Sequence, residues 1–189
     1  VESSYGGRAV NVAVADKPEG PFKDALNGKH LAGPNWDYID PTVWVDDDGQ
    51  AYIYWGNPKL YYAKLNDDMI SLNGAIQVTD MSRGFAPSGE ESKYTEGPWI
   101  HKRNNKYYML YASHGVPEKL SYSVSDSPTG PWTWGGVIMD QGNGTAFTNH
   151  PGLIEFKGRS FLFYHNQKNV NGGGYSRSTA VEEFSWNAD

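Results

Sequence analysis

The feature that most narrows the choice of fold is a spaced repeat. Three segments align: Asp40-Pro41-Thr42-Val43-Trp44, Glu96-Gly97-Pro98-Trp99-Ile100 and His150-Pro151-Gly152-Leu153-Ile154. Pro41 and Pro98 lie 57 residues apart, and Pro98 and Pro151 lie 53 apart. A second marker, Ala15-Asp16-Lys17-Pro18-Glu19-Gly20-Pro21-Phe22, returns as Ser125-Asp126-Ser127-Pro128-Thr129-Gly130-Pro131-Trp132, with Pro21 and Pro131 two periods (110 residues) apart. Within the periods a turn signal is followed by a short aromatic run. Asp48-Gly49 leads into Ala51–Trp55, Asn104-Asn105 into Lys106–Tyr111, and Lys157-Gly158 into Ser160–Tyr164. Turn followed by aromatic strand is the pattern of a β-hairpin. About four strands in a period of about 55 residues predict β-propeller blades with long loops. The competing fold is a β-sandwich with coincidental turns. Helical periodicity is nearly absent: in Lys59–Asn73, the longest stretch free of Gly and Pro that could coil, the apolar residues cluster at Leu60–Ala63.

Composition excludes several classes of function. The 22 glycines, 11 prolines and 27 aromatic residues among 189 fit punctuated strands with large cores and not a disordered tail. Sixteen basic residues against 22 acidic ones exclude a generic nucleic-acid binder, which needs a basic patch. Zero cysteines remove disulfides, thiol catalysis and thiolate metal sites. No run of 18 apolar residues could span a membrane as a helix. The chain opens at Val1 with no signal peptide, which reads as a cut end.

The polar residues beside the repeated prolines carry the functional signal. Asp40 and His150 immediately precede theirs, and Glu96 lies two positions before Pro98. Propeller symmetry brings equivalent loop ends around the axis, so two carboxylates and an imidazole converge in one candidate acid/base pocket. Singly, Asp-Pro is an ordinary turn starter and Glu96 an ordinary loop carboxylate. Their equivalence argues for a site. Asp46-Asp47-Asp48-Gly49 lacks the spacing of a calcium loop and reads as a hairpin turn. His101, His114 and His165 have no zinc-motif spacing, and His30 falls in a loop. His114 reads either as a pocket-rim residue or as a loop hydrogen-bonding group. Arg177 either holds a hydroxyl or carboxylate, or neutralises nearby acids. Trp99, Phe147 and Trp55 are candidates for a stacking floor under a sugar ring, against a base rate of aromatics as core. Asn143-Gly144-Thr145 matches a glycosylation sequon, as chance also allows.

The stretch Asp40–Gly56, the motif Glu96-Gly97-Pro98-Trp99-Ile100 followed by Tyr107-Tyr108, Asn149-His150-Pro151-Gly152, and the ending Gly174–Phe184 together resemble glycoside hydrolase family 43. The ending is similar to the arabinofuranosidase and xylosidase branch. The resemblance implies an all-β, five-bladed β-propeller and hydrolysis with inversion, with no cofactor required. Implied substrates are plant cell-wall polysaccharides and oligosaccharides: arabinoxylan, arabinan and xylo-oligosaccharides. It casts Glu96 as general acid and Asp40 as the carboxylate that raises the acid's pKa and orients it. His150, Arg177, Trp99, Phe147 and His114 become substrate-binding candidates, and His150 also marks where some relatives hold a structural calcium. A secreted or cell-envelope location follows for the parent protein. The family's base is an Asp in a first-repeat Asp-Pro motif, which has no counterpart here, so no residue of this chain is assigned as base. The other class of function is a non-catalytic carbohydrate-binding propeller, or an inactive fragment without its base.

By this reading residues 1–35 end blade 2, 36–92 form blade 3, 93–146 blade 4 and 147–189 blade 5. Against a ring of roughly 275 residues, about three and a half blades are present. N-terminal blades, or an appended carbohydrate-binding module, are expected partners. An open ring exposes sheet faces and edges, so the isolated chain is expected to self-associate or to be marginally stable. A thermal melt followed across a range of protein concentrations checks this. A concentration-independent monomer melting well above about 65 °C would contradict it.

Overall fold

The computed structural model describes residues 2–3, 7–85, 93–140, 147–168 and 176–187. The sequon Asn143–Thr145 and the glycines of Gly172–Tyr175 lie outside the described residues. The described residues form strands and turns with no helix. The first three-stranded sheet joins β1 (Glu2–Ser3), β2 (Gly7–Val10) and β5 (Ala32–Asn35), and a small hairpin pairs β3 (Ala13–Val14) with β4 (Lys23–Asp24). Two four-stranded antiparallel meanders follow. One runs β6 (Thr42–Val45), β7 (Ala51–Trp55), β8 (Tyr61–Leu65), β9 (Leu72–Val78); the other runs β10 (Tyr94–Arg103), β11 (Lys106–Ser113), β12 (Lys119–Ser125), β13 (Thr133–Met139). A three-stranded sheet of β14 (Gly152–Phe156), β15 (Arg159–Asn166) and β16 (Ser178–Phe184) ends the chain. Each sheet runs through its strands in sequence order, as propeller blades do.

The three turn signals sit where the sequence puts them. Asn104 and Asn105 both take positive φ (49° and 59°), as do Lys157 and Gly158 (52° and 74°), the type I′ geometry whose twist matches the flanking strands. Asp46–Gly49 is the β6–β7 hairpin turn, closed by Gly49 N–H donating to the Asp46 carbonyl at 2.9 Å. Lys59–Asn73 contributes β8 and the start of β9.

Sheets stack face to face, which explains the aromatic excess. All five residues of β7 are buried, because its two faces pack against different neighbours. Ala51, Ile53 and Trp55 join Val10, Ala32 and Ala63 on the side of the first sheet. Tyr52 and Tyr54 join Phe85, Tyr94, Met109, Tyr111 and Trp132 on the side of the next. Period-two alternation separates the two sets. The last sheet leaves one apolar face open: Ile154, Phe156, Phe163 and Val181 share that face by register and are 41–56% exposed.

Innermost strands lie side by side, with β10 between β6 and β14. Polar ties reinforce this. The Arg103 guanidinium donates to Glu155 at 2.5 Å, and the Trp99 indole N–H donates to the Leu153 carbonyl at 3.0 Å. On the other side Asp46 accepts from Lys102 Nζ at 2.7 Å and from the Tyr107 hydroxyl at 2.5 Å. Burial alone would raise the Asp46 carboxyl, but hydrogen bonds from Lys102, Tyr107 and the Asp47 amide outweigh it and hold it at about 2. Its folded value lies below the ordinary 3.8, so its stabilising contribution is present above that value and is lost as pH falls toward 2. Replacing Asp46 by Asn is expected to cost about 1–3 kcal/mol at neutral pH, by leaving charged donors poorly satisfied. Urea melts should show the gap to wild type narrowing as the pH falls from 4 to 2.

Candidate active site

The segment ahead of β6 is held by the loop that follows β7. Gly56 N–H donates to the Ile39 carbonyl at 2.9 Å, and Asn57 N–H to that of Asp37 at 3.0 Å. Asp40, next in the chain, adopts φ of 55° ahead of Pro41. A non-glycine residue before proline is disfavoured there, so the surrounding bonds hold a conformation that costs on the order of 1–3 kcal/mol. Strain of this kind, on a carboxylate at the inner end of a blade, is an independent mark of a functional position.

Glu96 sits in β10 where the register with β11 slips on both sides of it. A bulge re-aims the side chain that it carries. Gly97, with φ of 62°, makes the turn, and a Cβ built on it would lie 3.1 Å from His150 Nδ1. The imidazole thus packs on bare backbone beside the acid. The Asn57 amide donates to Glu96 Oε2 at 2.6 Å, so the loop that fixes Asp40 also fixes Glu96.

Asp40, Glu96, His150 and Arg177 line one cavity of about 270 Å³, with Arg8, Ile39, Thr148, Asn149 and His165 completing the wall. Arg177 donates to Thr148 Oγ1 at 3.0 Å, and the His165 ring bonds the Thr148 carbonyl. Burial lowers the His165 imidazole below its ordinary value, against that bond; Arg177 and His150 lower it further. The four residues chosen from repeat position and resemblance therefore meet.

The aromatic candidates do not. Trp55 is fully buried against Tyr61 and Tyr38, so its ring has no face for a sugar. Trp99 spends its indole N–H on Leu153 between blades and lies outside the cavity lining. Phe147, 48% exposed, also lies outside it, and its carbonyl accepts from Glu118 N–H. His114 takes φ of 77° and its N–H donates to the Lys93 carbonyl, the loop role already open to it. Among the described residues no group of three His, Asp or Glu side chains is arranged to hold a metal ion. Calcium prefers six to eight oxygen donors.

Several residues in and around the site escaped the sequence reading. Arg8 and Asn57 lie in segments that carry none of the repeat markers. Asn149 stood beside His150 and was read only as part of its motif. Glu118 is the least legible. It immediately precedes β12, two strands away from β10, yet is 1% exposed, and its Oε2 accepts from Asn149 N–H at 2.5 Å. Burial, then the neighbouring Glu96 and Asp40, push its carboxyl up to about 8, against the lowering bond from Asn149.

The sequence model for glycosyl hydrolases family 43 matches residues 2–189. The chain belongs to that family. It is 32% identical over 213 aligned residues to a β-xylosidase of Xylanibacter ruminicola, covering 95% of this chain and 64% of the relative. It is 34% identical to an arabinoxylan arabinofuranohydrolase of Paenibacillus polymyxa, covering 86% and 29% respectively. Among solved structures, a family 43 enzyme from Xanthomonas citri complexed with xylose superposes with a TM-score of 0.82 at 27% identity, over 98% of this chain and 63% of that one. An α-L-arabinofuranosidase from Clostridium thermocellum superposes at 0.77 with 34% identity, over 97% and 63%. The chain thus spans under two thirds of these relatives, and its sheets are blades of the family's five-bladed β-propeller.

Gly97 offers a direct check on the site's packing. Gly97→Ala is expected to cost about 1–2 kcal/mol from its left-handed φ and to displace the His150 ring. Thermal melts and the His150 ring resonances in NMR should register the two effects together.

Proposed function

We propose that the chain forms the acid side of an inverting glycosidase that removes arabinofuranosyl or xylosyl units from arabinoxylan-type polysaccharide. The observation that supports this most is the meeting of Asp40 and Glu96 with His150 and Arg177 in one cavity at the inner ends of the blades. Glu96 would protonate the departing glycosidic oxygen. Asp40, in the same cavity, would orient the acid. Arg177 and His150 would hold sugar hydroxyls.

An inverting mechanism also needs a carboxylate about 6.5–9.5 Å from the acid to activate water. The carboxylates lining the cavity are Asp40 and Glu96, and Asp40 keeps its role beside the acid. The base is not assigned to a residue of this chain. Relatives bearing names of both xylosidase and arabinofuranosidase type support the substrate class and leave both sugars in it. Polymers of this kind are met outside the cell, which supports a secreted or envelope-associated location.

Glu96→Gln in the active protein is the test. General-acid assistance is worth about 10²–10⁴-fold, and it matters most when the leaving group is a poor one. The variant should lose activity on that scale towards xylo- or arabino-oligosaccharides, and much less towards an aryl glycoside with an acidic phenol. Equal activity of variant and wild type on oligosaccharides would remove Glu96 as the acid.

A further inference from the structure

The general acid is braced from the neighbouring blade. Asn57 sits in the loop between β7 and β8, directly after Gly56. Gly56 takes φ of 124°, and the chain winds so tightly there that a Cβ would lie 2.1 Å from the Lys59 carbonyl oxygen. Hydrogen bonds leave this dipeptide in two directions. Toward the Asp40 segment, Gly56 N–H donates to the Ile39 carbonyl at 2.9 Å and Asn57 N–H to that of Asp37 at 3.0 Å. Toward β10, the Gly56 carbonyl accepts from the buried Tyr94 hydroxyl at 2.7 Å, and the Asn57 side-chain amide donates to Glu96 Oε2 at 2.6 Å. Tyr94 and Glu96 both lie on β10, so the loop grips the acid's own strand.

The backbone bonds fix where the Asn57 side chain starts, and none of them needs an asparagine there. What Asn57 itself adds is the bond to Glu96. A carboxylate oxygen only accepts, so the amide presents its NH2 to Oε2 and not its oxygen. The bulge at Glu96 and the left-handed turn at Gly97 aim the side chain. They do not set its last torsion, which in a glutamate is broad and roughly two-fold. The Asn57 bond does set it, by tying one particular oxygen. A carboxyl that is to give up a proton carries it on one of its two oxygens, and that hydroxyl oxygen is the poorer acceptor. With Oε2 accepting from an N–H, the proton belongs on Oε1.

We infer that Asn57 is the positioning residue of the general acid: its amide holds Glu96 Oε2 and leaves Oε1 to carry the proton to the departing oxygen. This rests on the assignment of Glu96 as acid. It deepens that assignment by naming the group that orients the carboxyl. Asn57 lies outside the cavity lining, so it acts through Glu96 and not on the sugar.

The experiment compares Asn57→Asp with wild type in the active protein. The variant keeps the size of the side chain and the backbone bonds of the loop, and removes the amide donor. Misplacing a catalytic group costs up to about 10²-fold, and help from an acid matters most when the leaving group is poor. The kcat towards xylo- or arabino-oligosaccharides should therefore fall on the order of 10–10²-fold, with KM held. The kcat towards an aryl glycoside with an acidic phenol should stay near that of wild type. A merely structural role lowers both substrates alike or neither, and either result would overturn the inference. Asn57→Ala brings no charge beside Glu96 and should show the same split, which decides the matter where Asn57→Asp does not fold. A second readout needs no turnover. In the whole 189-residue chain, the Asn57 side-chain amide resonances in nitrogen-15 NMR should move in Glu96→Ala, and unmoved resonances would likewise count against the brace. Failure of the acid assignment looks different: Glu96→Gln is then as active as wild type on oligosaccharides. Loss of activity in Glu96→Gln, with no difference between leaving groups in the Asn57 variants, would remove the brace alone.

Discussion

Everything at the site depends on β10 lying between β6 and β14. A blade is a twisted sheet with two apolar faces, and it can bury them only against the blades on either side. The aromatic layer of Tyr52, Tyr54, Phe85, Tyr94, Met109, Tyr111 and Trp132 fills one such interface. With the faces packed, the innermost strands have nowhere to go but beside one another. The residues at their inner ends then meet without any local sequence relationship among them.

The polar ties across these interfaces divide between two tasks. Asp46 with Lys102 and Tyr107, and Arg103 with Glu155, lock neighbouring blades at their hairpin ends. At the opposite ends of the same strands the ties carry chemistry. Asn57 crosses from one blade to Glu96 on the next, and Asn149 crosses from the last blade to Glu118. The desolvation that makes Glu118 costly to bury also pushes its carboxyl up, against the bond it accepts from Asn149. A site assembled this way is rigid because its members lie on adjacent blades, held through backbone already fixed by sheet pairing.

Much of this was legible in the residues. Turn pairs such as Asn104-Asn105 and Lys157-Gly158 announced their hairpins, because few sequences tolerate two successive positive φ values. Asp40, Glu96 and His150 were legible because repeat symmetry maps equal sequence positions to equal places around an axis. Trp55 and Trp99 misled, since an aromatic on a blade face looks the same in sequence whether it meets a sugar or the next sheet. Glu118 gave no signal at all. A single glutamate after Val116-Pro117 reads as an exposed loop residue, and nothing local states that three other segments will close over it.

The amino-acid sequence by itself determined the blades, their order, and the three polar positions at their inner ends, because period-two patterning and turn chemistry act within a few residues. Tertiary structure alone decided which aromatics are core, that Asn57 braces the acid, and that Glu118 is buried against the Asn149 backbone. Those are consequences of which faces meet and how much water is excluded between them, and burial is a property of the packed neighbours, not of the residue.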